Sequence, residues 1–185
     1  MKKKVFKELL GTGLYFLGVL LLILCLTTYV GQRTKVDGES MEPTLQDGDN
    51  LIVDKISYRF GDPERYDIIV LRPFENEKET YFIKRIIGLP GETIQIKEDG
   101  SIYIDGERLF EAYGKEVIRP EAVGRAAQPI TLGDDEYFVM GDNRNNSGDS
   151  RSVAVGNIHR RQIIGRAWVR IWPLSSFGRV TKEKD

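Results

Sequence analysis

The hydrophobic positions of this chain fall into one long block and then a series of short ones. After Lys2, Lys3, Lys4, Lys7 and Glu8 no charged residue occurs until Arg33, and the apolar block from 9 to 30 covers 22 residues. As a helix that block would be about 33 Å long, enough for a bilayer core of about 30 Å. Beyond it the pattern changes to short runs rich in Val, Ile, Phe, Tyr and Trp, at 51–54, 67–71, 81–87, 93–97, 102–104, 137–140 and 163–172. Runs of this length and composition predict strands. Turn signals separate them: Asp47-Gly48-Asp49, Leu89-Pro90-Gly91, Asp99-Gly100, Asp105-Gly106 and Gly141-Asp142-Asn143. The runs at 93–97 and 102–104, joined through Asp99-Gly100, predict a hairpin. Residues 109–133 have no clear period and contain Pro120, Gly124 and Pro129, which predicts an irregular insertion. The expected fold is mainly β behind a single N-terminal transmembrane helix, with little other helix.

The apolar block predicts a retained anchor and not a cleaved leader. It exceeds the usual 7–15 apolar residues of a secretory signal, and Thr27-Thr28-Tyr29-Val30-Gly31 offers no Ala-x-Ala-like site. Four Lys or Arg precede it and two, Arg33 and Lys35, follow closely. The positive-inside rule then predicts residues 1–8 in the cytoplasm, 9–31 across the cell membrane and 32–185 on the outer face.

Composition narrows the function. Of the 27 Lys and Arg, 23 lie beyond the block, against 27 of the 28 Asp and Glu, so the outer part carries a net charge of −4. That gives no reason to expect nucleic acid as a partner. With 41% hydrophobic residues overall, the roughly 150 residues beyond the block suffice for one domain with a core. Cys25, the only cysteine, lies inside the block, so no internal disulfide can form.

Two segments carry candidate chemistry. Gly38-Glu39-Ser40-Met41-Glu42-Pro43-Thr44-Leu45 puts a serine in a turn, and Tyr81-Phe82-Ile83-Lys84-Arg85-Ile86-Ile87-Gly88 puts a lysine inside an apolar strand. A serine hydroxyl is a weak nucleophile, and lysine can act as its base only when burial or a nearby cation makes the ammonium easier to deprotonate. Strand alternation sets Lys84 on the face of Phe82 and Ile86, with Arg85 on the opposite face. Working near neutrality requires a pKa roughly 2–3 units below 10.4, or roughly 3–4 kcal/mol, within the range of buried lysines. Only nine residues separate Val30 from Ser40, so the serine is expected close to the outer membrane face.

Two further segments, Tyr66-Asp67-Ile68-Ile69-Val70-Leu71 and Gly141-Asp142-Asn143-Arg144-Asn145-Asn146-Ser147-Gly148-Asp149-Ser150-Arg151, complete an ordered set spanning 38–151. Together with the leading apolar block, this set resembles the bacterial type I signal peptidases, membrane-bound proteases that remove signal peptides from exported preproteins. The resemblance implies a serine/lysine endopeptidase with Ser40 as nucleophile and Lys84 as general base. It implies that Ser147 orients the lysine amine, that Asp149 and Arg151 form a supporting pair, and that Arg85 supports the site beside the lysine. The Ser40 backbone N–H would contribute to the oxyanion hole. Enterobacterial-type members carry a serine two residues before the nucleophile. Here Gly38 stands there, so the chain resembles the shorter Gram-positive type, and the second oxyanion donor is either the Gly38 backbone or water. The resemblance further implies substrates with small residues at −1 and −3, a shortened non-catalytic β insertion at about 98–134, and no cofactor or metal. A monomer is expected.

Rival readings of the same residues are weaker. Gly38-Glu39-Ser40-Met41-Glu42 lacks the final glycine of a nucleophile elbow. A catalytic triad would need His159, the only histidine, and no second motif points to it. The loop from Asp142 has Arg144, Ser147 and Val153 where a calcium loop needs a ligand, a glycine and a glutamate. No His and Cys cluster suits zinc. Asn145-Asn146-Ser147 matches a glycosylation acceptor, where a glycan would obstruct the site. Two alternatives stay open. Self-cleaving bacterial repressors share a serine/lysine dyad but carry a DNA-binding region in place of a membrane helix; an inactive anchored module would grip signal peptides without cutting. Trp168 and Trp172 share a strand face and are expected in the core, with the membrane interface as the other option; Met41 is expected either in the core or toward lipid.

Overall fold

The computed structural model describes residues 2–25, 31–74 and 80–180. The chain opens with α1 (Lys2–Cys25), within which Lys7–Leu24 has a mean hydropathy of 1.7 and is long and apolar enough to cross a membrane. Its side chains from Leu9 to Leu24 are exposed, as expected of a helix whose partner is lipid. The end of the expected anchor, 26–30, lies outside the described residues.

The described residues beyond α1 form two antiparallel sheets. The larger contains β1 (Gly31–Lys35), β2 (Asn50–Asp54), β3 (Ile68–Leu71), β4 (Phe82–Gly88), β9 (Glu136–Met140), β10 (Ile158–His159), β11 (Ile163–Trp172) and β12 (Gly178–Arg179). Its order is β1-β2-β11-β3-β4-β9-β10, with β12 added to β11. The smaller contains β5 (Thr93–Ile96), β6 (Ile102–Ile104), β7 (Glu107–Arg108) and β8 (Ile130–Thr131), ordered β7-β6-β5-β8. The mainly β class expected from the sequence is therefore observed, and each of the seven apolar runs forms a strand. The hairpin pairs Ile94 with Ile104 and Ile96 with Ile102. Beyond α1 the described α-helix is a single turn, α2 (Ser57–Phe60).

Burial explains which runs were visible. Strand β3 is covered on both faces: Ile68 and Val70 pack with Val36, Met41, Leu45, Leu51 and Val53, while Ile69 and Leu71 pack with Ile86, Val139 and Ile163. A strand buried on both faces reads as a continuous apolar run. By contrast β1, Gly-Gln-Arg-Thr-Lys, has no apolar side chain and exists because its backbone pairs with β2 at the sheet edge. The two-residue strands β7, β8, β10 and β12 are too short to show a period. The stretch 109–133 holds β8 and two 3-10 turns, Pro120–Ala122 and Gly124–Ala127. Ile118, Val123, Ala126 and Leu132 from it fill the core shared by the small sheet and Ile87, Phe138 and Met140.

The core expectation for Trp168 and Trp172 is corrected: they are 42% and 55% exposed. Register shifts between Ala167 and Val169 and between Arg170 and Trp172 interrupt the two-residue alternation of β11. Trp168 alternates with the buried Ile163, Gly165 and Ala167 and so lies on the uncovered side of the strand, and Trp172 lies beyond the second shift. Met41 is buried at 1% exposure, in the core and not against lipid.

Candidate active site

The turn that carries Ser40 is fixed at both ends. Met41 and Leu45 are buried beneath it, and Leu45 N–H donates to Met41 O at 2.9 Å. Gly38 has φ +91°, a conformation that favours glycine, and its N–H donates to Asp47 Oδ1 at 2.8 Å. That bond already engages the Gly38 N–H, one of the two suggested second oxyanion donors. The Ser40 N–H makes no hydrogen bond among the described residues, whereas the Ser40 carbonyl accepts from Asn143 N–H at 3.0 Å. Asn143 Nδ2 also donates to Glu39 O at 3.2 Å, so Asn143 ties the turn to the 141–151 loop.

Lys84 lies on β4 opposite Ile69 of β3 and is 4% exposed. Its Nζ donates to Ser40 Oγ at 2.7 Å and sits 5.1 Å from the centre of the Phe82 ring, its neighbour on the same strand face. Burial lowers its pKa from 10.5 to about 8; the Asp149 carboxylate opposes this, Arg151 assists it, and Asp142 opposes it. Desolvation is the leading cause, as a largely apolar environment penalises the ammonium.

Arg85 projects to the other face of β4 and is fully buried. It binds Asp142 with two bonds, Nε to Oδ1 at 2.8 Å and Nη2 to Oδ2 at 2.7 Å, and donates from Nη1 to Tyr66 O at 3.0 Å. Thr44 Oγ1 donates to the same Asp142 Oδ2 at 2.5 Å, linking the serine turn to the arginine. Arg151 and Asp149 form a second buried bidentate pair, with both bonds at 2.8 Å. Asp149 Oδ2 also accepts from Gly141 N–H at 3.0 Å. Ser147 comes close to the centre, but its buried Oγ has no hydrogen-bond partner, on Lys84 or elsewhere. His159 belongs to a different cluster, with Nδ1 3.1 Å from Asp135 Oδ1.

The structure thus brings Ser40 together with Lys84 and Asp149 with Arg151, and leaves Ser147 beside them unbonded. Sequence reading assigned no role to Thr44, Asp142 or Asn143. The last two were visible as polar residues following a buried strand; Thr44 gave no signal. A cleft of about 680 Å³ opens at Ser40 and Lys84, with Gln32–Asp37 on one wall and Thr80–Ile83 on the other. Strand β1, an edge of the large sheet, forms part of that wall. No group of three or more His, Cys, Asp or Glu suited to a metal occurs among the described residues.

Comparison with known proteins gives a consistent result. Residues 9–172 match the family described as signal peptidase, peptidase S26. The protein named probable signal peptidase I-2 of Synechocystis sp. is 39% identical over 180 residues, covering 95% of this chain and 79% of that one. Signal peptidase I P of Bacillus subtilis subsp. natto is 39% identical over 161 residues, covering 84% of each. Among solved structures, a signal peptidase I of Enterococcus faecalis is 33% identical with a TM-score of 0.46, covering 57% of this chain and 97% of that one.

Two predictions arise from this geometry. A Cβ on Gly141 would overlap both the Ser40 carbonyl oxygen and Ser147 Oγ. Gly141→Ala is therefore expected to displace the serine turn and reduce peptide cleavage by about 10²-fold, the cost of a misplacement of about 1 Å, measured as kcat on a peptide substrate. For Lys84, folding lowers the pKa, so between about 8 and 10.5 the unfolded chain holds a proton the folded chain has released. Stability then rises with pH across that window and is lost as pH falls back through 8. Lys84→Met is expected to be more stable than wild type at pH 7 by up to about 3 kcal/mol. The gap should narrow by pH 10.5 in denaturant unfolding; an equal gap at both pH values would contradict it.

Proposed function

The chain belongs to the signal peptidase family, peptidase S26, and on that premise we propose that it cleaves signal peptides from exported preproteins with a Ser40–Lys84 dyad while anchored in the cell membrane. Membership makes it a serine endopeptidase that acts on preprotein signal peptides. The observation that carries the dyad is the 2.7 Å contact between Lys84 Nζ and Ser40 Oγ, with the amine buried and its pKa lowered to about 8.

In this reading neutral Lys84 takes the Ser40 proton as Oγ attacks the carbonyl carbon at the cleavage site. The resulting oxyanion accepts from the Ser40 N–H, which its otherwise unbonded state leaves available. The Lys84 ammonium then protonates the departing amine, the C–N bond breaks, and an acyl ester remains on Ser40. Lys84, neutral again, deprotonates water for hydrolysis of the ester. Ser147, with a buried and unbonded Oγ, is the group available to accept from the Lys84 amine once Ser40 is acylated. The Asp149–Arg151 and Arg85–Asp142 pairs hold the surrounding backbone.

The cleft beside β1 fits an extended peptide running along an open sheet edge. Small residues at −1 and −3 would place their side chains near Val36, Met41 and Ile83, which line it. The apolar α1 is long enough to anchor the chain in a membrane; the charge asymmetry around the apolar block favours 1–8 in the cytoplasm, 9–31 across the membrane and 32–185 on the outer face, where a monomer is the expected state.

Full-length protein in detergent is expected to cut a preprotein bearing an Ala-x-Ala site once, after the small residue, with cleavage abolished in Ser40→Ala and Lys84→Ala by mass spectrometry. Retained cutting in Lys84→Ala would remove the dyad. The rate for wild type should climb with pH as Lys84 loses its proton and level off above about 8; a flat profile from pH 6 to 9 would argue against a lysine base.

A further inference from the structure

Residues 111–115 lie outside the three segments that carry Ser40, Lys84 and the 141–151 loop, in the stretch whose sequence signals only irregularity. Alternate residues along it nevertheless reach each of those segments. Glu111 pairs through both carboxylate oxygens with Arg144 of the loop, one bond measuring 2.6 Å, and Arg144 Nε donates to Gly141 O at 3.0 Å. Tyr113 is buried with its ring 3.7 Å from the guanidinium carbon of Arg85, the neighbour of Lys84 on β4. Lys115 Nζ meets Glu42 Oε2 at 2.7 Å in the serine turn, while its N–H donates to Asp142 O at 2.8 Å. One short irregular segment, bent at Ala112 and Lys115, thus reaches all three.

The contacts differ in weight. The Lys115 side chain is 43% exposed, and exposed ion pairs are weak. Arg144 and Glu111 are 2% and 11% exposed and doubly bonded, and the Arg85–Tyr113 stack is buried, so the hold rests on Glu111 and Tyr113. Farther along, Asn145 Nδ2 donates to Val117 O at 2.8 Å and Arg151 Nη1 to Ala122 O at 2.9 Å, extending the attachment along the same loop. None of residues 111, 113 and 115 lines the cleft.

We propose that segment 111–115 is a strap that holds the lysine strand and the 141–151 loop in mutual register, and through Asn143 of that loop, which bonds the Ser40 and Glu39 carbonyls, the serine turn as well, with Glu111 and Tyr113 as positioning residues for peptide cleavage. The proposal deepens the Ser40–Lys84 reading and rests on it. Because the strap does not meet substrate, loosening it should lower kcat and leave KM nearly unchanged.

The test measures kcat, KM and thermal unfolding of the full-length protein in detergent, with the same preprotein, for wild type, Ser40→Ala, Glu111→Gln, Tyr113→Leu and Tyr113→Phe. Tyr113→Leu and Glu111→Gln are expected to lower kcat at least about tenfold with KM within about twofold, while folded at the assay temperature. Tyr113→Phe, which keeps the ring over Arg85, is expected to stay within about threefold of wild type. A double variant carrying both Glu111→Gln and Tyr113→Leu, measured alongside, is expected to lose little more than the worse single one, because both act on one assembly. Wild-type kcat in folded Tyr113→Leu, a change confined to KM, or equal damage from Phe and Leu would overturn the strap. If Glu111→Gln fails to fold because Arg144 is left buried beside a neutral amide, Tyr113→Leu decides. Unfolding of both would make the segment a stability element and overturn the positioning role. Cleavage that survives Ser40→Ala is a separate failure, of the dyad itself.

Discussion

A lysine amine held out of water within hydrogen-bond reach of a serine is the constraint around which this domain is organised. Desolvation, with the nearby charges in balance, brings the Lys84 pKa down to about 8 only while the surroundings stay dry. Asp149 and Asp142 favour the ammonium and Arg151 opposes it. Each carboxylate is bonded to an arginine, so neither acts on the lysine as a bare anion. Moving either pair would alter the lysine before it touched the serine. Two buried ion pairs are costly to assemble, and breaking one is costlier still because a lone charge is left behind. They are better read as devices that fix geometry and field than as sources of stability.

Much of the fold and part of the site were legible in the sequence, for identifiable reasons. Strands such as β3 and β4 are buried, and burial selects apolar residues that a linear reading detects. Lys84 stood out as an ammonium in an apolar strand, whereas Ser40, an ordinary residue for a turn, stood out only through the ordered set of segments spanning 38–151. Residues whose role is to touch other residues left no such mark. Thr44 looks like any turn threonine until its hydroxyl meets Asp142 across 98 positions of chain. The exposure of Trp168 was hidden because alternation assigns it to one face of β11 without saying which face the core covers. Strand β1 was invisible for the complementary reason, having backbone partners and no apolar side chains.

The small sheet and the stretch after it change in meaning once their contacts are known. Their apolar residues supply a shared core with Phe138 and Met140 at the head of the 141–151 loop. Their polar residues meet that loop from the other side. An insertion with no period in sequence can therefore be tightly specified in space, because its specification lies in long-range pairs such as Glu111–Arg144.

One consequence follows from β1 lying at the open edge of the large sheet. An edge that can receive an extended peptide can equally receive the same edge of another copy, and sheet extension of that kind leads to aggregation. Arg33 and Lys35 are the exposed side chains of this strand. Two copies aligned antiparallel about their centres would bring Arg33 against Arg33, and like charges placed opposite one another disfavour pairing. A passing peptide is not bound by symmetry to set a cation at that position. Arg33, at the centre of the strand, thus leaves the edge receptive to a visitor and inhospitable to its twin.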